Sequence, residues 1–243
     1  MRVVSRTIVA AAIAAEILAC AQGTRPRTQA PAAIAVSPEP FADEIAAFEA
    51  ADRRSPPQPG GVLFVGSSSI RMWSSLQSDF PGVNVIGRGF GGSEMSDVVR
   101  YARRIVIPYR PRLIVLYAGD NDLAVGKSGE TVFDEYRAFV TLVHRALPDT
   151  RIAFVSIKPS GSRVALMGEM RKTNELVRQY VATDSHLLYV DVFTPMVAVD
   201  GNPREDLFLE DRLHMNAKGY AIWRDVLAPI VQQTASRSGA SRQ

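Results

Sequence analysis

Four short segments carry residues able to perform acyl transfer. Asp211-Arg212-Leu213-His214 places a carboxylate three residues before an imidazole. At that spacing both can lie on one side of a turn, so that the acid orients the ring and stabilises its protonated form. Of the three histidines, His144 sits in the helical pattern TLVHRALP and reads as a surface residue. His186 has no acid at Asp-x-x-His spacing, which leaves His214 as the strongest general-base candidate. A hydroxyl is offered by Gly66-Ser67-Ser68-Ser69, a small polar turn after an apolar run. Amides at a helix N-terminus there would favour developing negative charge. Taken alone, these serines are ordinary turn and cap residues. Gly87-Arg88-Gly89-Phe90-Gly91-Gly92-Ser93 would let backbone N–H groups approach a ligand closely. Ala118-Gly119-Asp120-Asn121-Asp122 gathers amide and carboxylate groups, which alone would be an Asx-turn loop.

The elements that must position these segments are legible from apolar runs. Short apolar stretches occur at 62–65, 83–86, 113–117, 152–157 and 187–192. The third, LIVLY, is apolar throughout, as expected of a strand buried on both faces. Between them apolar residues recur at helical spacing. One series is Met95, Val98, Val99, Ala102, Ile105 and Val106; another runs from Phe133 to Leu147, with Ser128 as its cap. Leu166, Met170, Val177 and Val181 suggest a third helix, and Tyr220, Trp223, Leu227 and Ile230 a last one. Strands alternating with helices imply a parallel sheet covered on both faces. The expected fold is α/β: a three-layer α/β/α sandwich, flavodoxin-like, with a five-stranded parallel sheet. In such folds the site lies beyond the carboxyl ends of the strands, where all four segments fall.

The glycine run also matches G-x-G-x-x-G at Gly87, Gly89 and Gly92. A dinucleotide site would need that run after the first strand and an acid some twenty residues on. The run follows the second strand, and 105–115 (IVIPYRPRLIV) contains no acid, so nucleotide binding is demoted.

The net charge of +3 resides in the ends: residues 1–40 and 234–243 carry +2 each, leaving −1 between them. A near-neutral body without a basic stripe argues against a nucleic-acid partner. Arg2 and Arg6 precede an apolar stretch from Ile8 to Ala19, the pattern of an export signal over 1–21. Two processing readings stay open. Ala19-Cys20-Ala21 fits a small-x-small cleavage site, and Ile17-Leu18-Ala19-Cys20 resembles a lipobox in which lipidated Cys20 would tether the chain to a membrane. The expected location is therefore exported, periplasmic or membrane-anchored, in a bacterium. Residues 22–60 read as a linker with a short helix at 41–52, residues 61–232 as the domain, and 233–243 as a disordered tail.

Together the four segments resemble the SGNH hydrolase superfamily, the GDSL-like lipases and acylhydrolases, over about residues 60–232. Gly66-Ser67-Ser68 is similar to that family's Gly-Asp-Ser block. Counting from Gly66, Ser68 rather than Ser67 or Ser69 holds the nucleophile position, and Ser67 replaces the usual Asp. Gly92 matches the second-block glycine, Asn121 the Gly-x-Asn-Asp block, and Asp211 to His214 the Asp-x-x-His block. The resemblance implies a serine ester hydrolase with a Ser68–His214–Asp211 triad. It also implies an oxyanion hole from the amides of Ser68 and Gly92 and the side chain of Asn121. No metal or organic cofactor is implied, and the partner is a small-molecule ester. Loops 158–169 and 194–210 are short and not strongly apolar, which favours short acyl groups such as acetyl. Lysophospholipid or thioester hydrolysis, and a noncatalytic module for cell-envelope glycans, are the alternatives.

Overall fold

The computed structural model describes residues 39–240. The expected signal segment 1–21 with Cys20, the part of the expected linker at 22–38, and residues 241–243 lie outside the described residues. Five strands form one sheet: β1 (Val62–Gly66), β2 (Val85–Gly89), β3 (Leu113–Tyr117), β4 (Arg151–Val155) and β5 (Leu187–Val190). Their order is β2-β1-β3-β4-β5, and every pair is parallel. This is the doubly wound, flavodoxin-like order, whose crevice lies at the carboxyl edge beside β1 and β3. The second strand begins two residues later than its apolar run suggests, because Val83 closes the preceding turn on Phe80.

The helices are α1 (Ala42–Arg54), α2 (Ser68–Arg71), α3 (Leu76–Asp79), α4 (Met95–Ile105), α5 (Asp120–Ala124), α6 (Gly129–Ala146), α7 (Met167–Val181) and α8 (Ala217–Ala240). Side chains alternate across a strand, so the sheet serves two cores. Leu63, Val65, Ile114, Leu116, Ile152 and Phe154 pack with residues of α1, α4, α6 and α7. Val62, Phe64, Leu113, Val115, Tyr117 and Val155 face α2, α3 and α8, where Trp73, Trp223 and Leu227 are buried. The Ser128 hydroxyl accepts the Thr131 amide at 3.2 Å and caps α6 as its sequence suggests.

Two terminal segments differ from their expected character. The helix assigned to a linker is α1, which buries Ile45 fully and packs Phe41 and Phe48 on the core. Apolar residues at 41, 45 and 48 recur at helical spacing, so one face of this short helix has a place on the body. At the other end α8 continues past residue 233, where disorder is expected, to Ala240. Its Val231 and Thr234 are still buried, and that contact extends the helix.

Candidate active site

The nucleophile candidate stands where β1 gives way to α2. Gly66 has φ +142°, and a Cβ there would lie 1.8 Å from the Tyr117 carbonyl oxygen. Only glycine lets β1 end this close to β3. Ser67 caps the turn and is fully buried, and its hydroxyl has no partner among the described residues. Ser68 opens α2 and is half-buried. The Tyr220 hydroxyl fixes the turn from α8 by donating to the Ser69 carbonyl at 3.0 Å.

His214 Nε2 lies 3.0 Å from Ser68 Oγ, and His214 Nδ1 lies 2.6 Å from Asp211 Oδ2. With the ring proton on Nδ1, the imidazole donates to Asp211 and accepts from Ser68. The other carboxylate oxygen accepts the Leu213 and His214 amides, each at 2.9 Å. Partial burial pushes the Asp211 carboxyl up, but the imidazole and these two amides outweigh it and hold it at about 2. The tight loop needs a left-handed residue, and Arg212 supplies it at φ +54°. Its guanidinium forks onto Glu205 at 2.6 and 3.0 Å, and its carbonyl accepts the Ser162 amide at 3.0 Å.

The candidate donors lie in the other two segments. Gly89 and Gly91 serve packing: a Cβ would meet the Arg71 amide nitrogen at 2.2 Å or the Arg71 guanidinium at 2.6 Å, respectively. The glycine run thus lets α2 and its arginine press on β2, which accounts for it without a nucleotide. Gly92 is exposed at φ +81° with open space around its Cα. Its amide, like that of Ser68, has no acceptor among the described residues. Asn121 Nδ2 donates to the Ser93 carbonyl at 3.0 Å, which uses one of its two N–H bonds. Asp122, the next residue, is buried, binds the Met95 amide through both oxygens at 3.0 Å and pairs with Lys127 at 3.0 Å. Burial raises its carboxyl to about 6.

Next to these groups the structure places two cations to which the sequence gives no individual role, Lys158 and Arg163, on the Asp120 carboxylate. Lys158 is 1% exposed and Asp120 4%. Lys158 Nζ stands 3.6 Å from Asp120 Oδ2, and Arg163 Nη1 stands 3.1 Å from the same oxygen. Burial lowers the Lys158 ammonium from its ordinary value, opposed by the Asp120 charge. The signal was Lys158-Pro159 directly after an apolar strand, at the sheet edge where the other segments lie.

Two clefts border the Asp211–His214 loop. One, of about 820 Å³, is lined by Val164, Val197, Val199, Arg204, Asp206 and Arg212. The second, of about 410 Å³, is lined by Met72, Leu209, Met215, Tyr220 and Arg224. The loops 158–169 and 194–210 thus both line the larger cleft.

A parallel α/β/α sandwich with hydroxyl, imidazole and carboxylate in series at its carboxyl edge is the architecture of a hydrolase acting on acyl groups. The chain belongs to the GDSL-like lipase/acylhydrolase family, whose model matches residues 61–222, and is a carboxylic ester hydrolase. It is 27% identical over 192 residues to the platelet-activating factor acetylhydrolase IB subunit alpha1 of Bos taurus, a match covering 74% of this chain and 80% of that one. Among solved structures it resembles a GDSL-like lipase from Bacteroides thetaiotaomicron, with TM-score 0.66 and 20% identity over 78% of this chain and 97% of that one. It also resembles a carbohydrate esterase family 3 protein from Talaromyces cellulolyticus, with TM-score 0.59 and 16% identity over 73% and 99%. At these identities the solved structures share its fold.

Proposed function

We propose that the protein hydrolyses short-chain acyl esters, acetyl esters above all, through an acyl-enzyme on Ser68. The observation that carries this reading is the continuous hydrogen-bonded series Asp211–His214–Ser68, with links of 2.6 and 3.0 Å. His214 takes the Ser68 proton as Oγ attacks the ester carbonyl, and Asp211 holds the ring in the tautomer that can accept it. The oxyanion is bound by the Ser68 and Gly92 amides and by the free N–H of Asn121. His214 then protonates the departing alcohol. Water, deprotonated by the same ring, releases the acid.

The short acyl preference is supported by the borders of the site. The larger cleft mixes valines with Arg204, Asp206 and Arg212 and is no apolar channel for a long chain. The acetylhydrolase named above is a relative whose own name points the same way. A glycan-binding module would need no imidazole aligned on a serine hydroxyl. We further propose that the protein acts outside the cytoplasm, on the strength of the basic and apolar pattern of residues 1–21.

The test is treatment with a fluorophosphonate, followed by mapping of the adduct and assay on p-nitrophenyl esters. The expected outcome is an adduct on the tryptic peptide 55–71 and faster turnover of acetate than of octanoate esters. Preference for octanoate would favour a lysophospholipase. Absence of both adduct and turnover would favour a binding module.

A further inference from the structure

Asn121 uses its carboxamide oxygen as well as its nitrogen. Arg163 Nη2 donates to Asn121 Oδ1 at 2.9 Å, while Nη1 of the same guanidinium faces Asp120 Oδ2 at 3.1 Å. Lys158, buried 3.6 Å from that carboxylate oxygen, donates from Nζ to the Leu213 carbonyl at 3.0 Å. Leu213 immediately precedes His214. A single ionic cluster therefore reaches both the carboxamide beside the nucleophile and the backbone that carries the imidazole.

We propose that Arg163, Asp120 and Lys158 form a positioning unit for the esterase reaction, in which Arg163 orients the Asn121 carboxamide toward the oxyanion and Lys158 fixes the loop bearing His214. The proposal rests on the esterase reading of this site.

The physical argument begins with the amide. A carboxamide can flip, and an Asn121 flipped by 180° would present oxygen, an acceptor, to a developing negative charge. Two bonds prevent this: its nitrogen is held by the Ser93 carbonyl at 3.0 Å and its oxygen by a cation. A guanidinium is a donor only, so it recognises the oxygen end alone. It also withdraws electrons from the carboxamide and makes the remaining N–H a better donor. Burying the guanidinium and the ammonium is costly without a counter-charge. Asp120, 4% exposed, supplies it at the position directly before Asn121. The fork geometry matters, because Arg163 hydrogen-bonds Asn121 through Nη2 while its Nη1 faces the Asp120 carboxylate as an ion pair. Lysine offers one ammonium and cannot reproduce both contacts at those angles. Lys158 then ties the same carboxylate to the His214 loop, so that the donor side and the base side of the site share one anchor.

The experiment compares kcat and KM on p-nitrophenyl acetate for wild type and for Arg163→Ala, Arg163→Lys, Lys158→Met, Asn121→Ala and the Arg163→Ala/Asn121→Ala pair, with folding checked by circular dichroism. Arg163→Ala is expected to lower kcat about 10- to 100-fold, the scale of a misplaced catalytic group, with KM little changed. Added guanidinium should restore part of it. In the Asn121→Ala background the same change should cost less than about threefold, because the two residues act as one unit. Arg163→Lys keeps a charge for Asp120 and is expected to fold yet lose kcat. Lys158→Met should also lower kcat, through displacement of His214. Wild-type kcat in Arg163→Lys, or independent losses that multiply in the double variant, would overturn the proposal and leave the esterase reading intact. A wild-type protein without ester hydrolysis would overturn both.

Discussion

His214 Nε2 lies 3.0 Å from Ser68 Oγ across 146 residues of chain. No local propensity brings them together. The sheet order does, by placing the turn after β1 and the loop before α8 at one edge. Ser68→Ala should therefore abolish turnover, with a loss on the order of 10⁶ in kcat where serine and imidazole act as a unit. The thermal midpoint should hardly move. Fluorophosphonate labelling should survive in Ser67→Ala and Ser69→Ala, since neither hydroxyl bonds to the imidazole.

Asp211 gives a second expectation, set by its exposure. Its side chain is 47% exposed, so water can replace part of its bond to His214. Asp211→Asn should lower kcat about 10²-fold, short of the ~10⁴-fold found where such a carboxylate is buried. Its carboxyl is held at about 2 against an ordinary value of 3.8. The folded state thus binds this proton more weakly than the unfolded chain. The contribution to stability is present above about pH 4 and is lost as pH falls toward 2. Urea midpoints of wild type and Asp211→Asn should converge over that window.

The sheet and the candidate triad were legible because they obey short-range rules. Apolar runs such as LIVLY mark strands by composition, and Asp-x-x-His and Gly-Ser-Ser carry their chemistry within a few residues. Arg163 and Lys158 were legible only as members of a loop at the sheet edge, because their role depends on Asp120, some forty residues earlier, being buried beside them. Helix α1 is legible as a helix at 41–52, but its place on the body is not, for a related reason. Between a Pro-rich stretch and SPPQPGG it looks isolated, and its apolar spacing at Phe41, Ile45 and Phe48 offers a face without saying what covers it.

Two glycines should respond in opposite ways to alanine. At Gly66, φ +142° and a Cβ contact of 1.8 Å with the Tyr117 carbonyl leave no room for relaxation. Gly66→Ala should cost more than about 4 kcal/mol, in the range of exceptional substitutions. At Gly92, φ is +81° but nothing lies within 4 Å of the added carbon. Gly92→Ala should cost only about 1–2 kcal/mol, the penalty for a left-handed residue. It should retain turnover, because alanine keeps the N–H. Urea unfolding and ester assays on both variants check the contrast.

Lys127 faces three carboxylates, Glu94 at 2.9 Å, Asp122 at 3.0 Å and Glu135 at 2.8 Å. Lys127→Met would leave Asp122 charged and buried, at a cost of about 3 kcal/mol. Burial already raises that carboxyl to about 6, so the folded state holds its proton more tightly than the unfolded chain. The associated stability is present below about pH 4 and is lost as pH rises through 6. Without the cation that carboxyl rises further, and the decline should extend to higher pH. Adding Asp122→Asn to Lys127→Met should recover part of the loss in urea midpoints, since it removes the charge that needs a partner.

Helix α1 offers a test of whether the glycine loop needs support from outside the family-matched segment. Glu44 Oε1 accepts the Gly91 amide at 3.3 Å, and Phe41 packs edge-on against Phe90 at 5.3 Å between ring centroids. Both contacts fall within two residues of Gly92, whose amide is the proposed oxyanion donor. Ile45, fully buried, anchors the helix, and Ile45→Ala should cost about 3 kcal/mol as a buried truncation. Glu44→Ala removes one long hydrogen bond and should change stability by less than about 1 kcal/mol. If the loop depends on that bond, kcat should still fall about threefold to tenfold while KM stays constant, as for a contact felt in the transition state alone. Steady-state kinetics of the two variants, set beside their unfolding curves, separate a helix that only stabilises the body from one that also holds Gly92 in place.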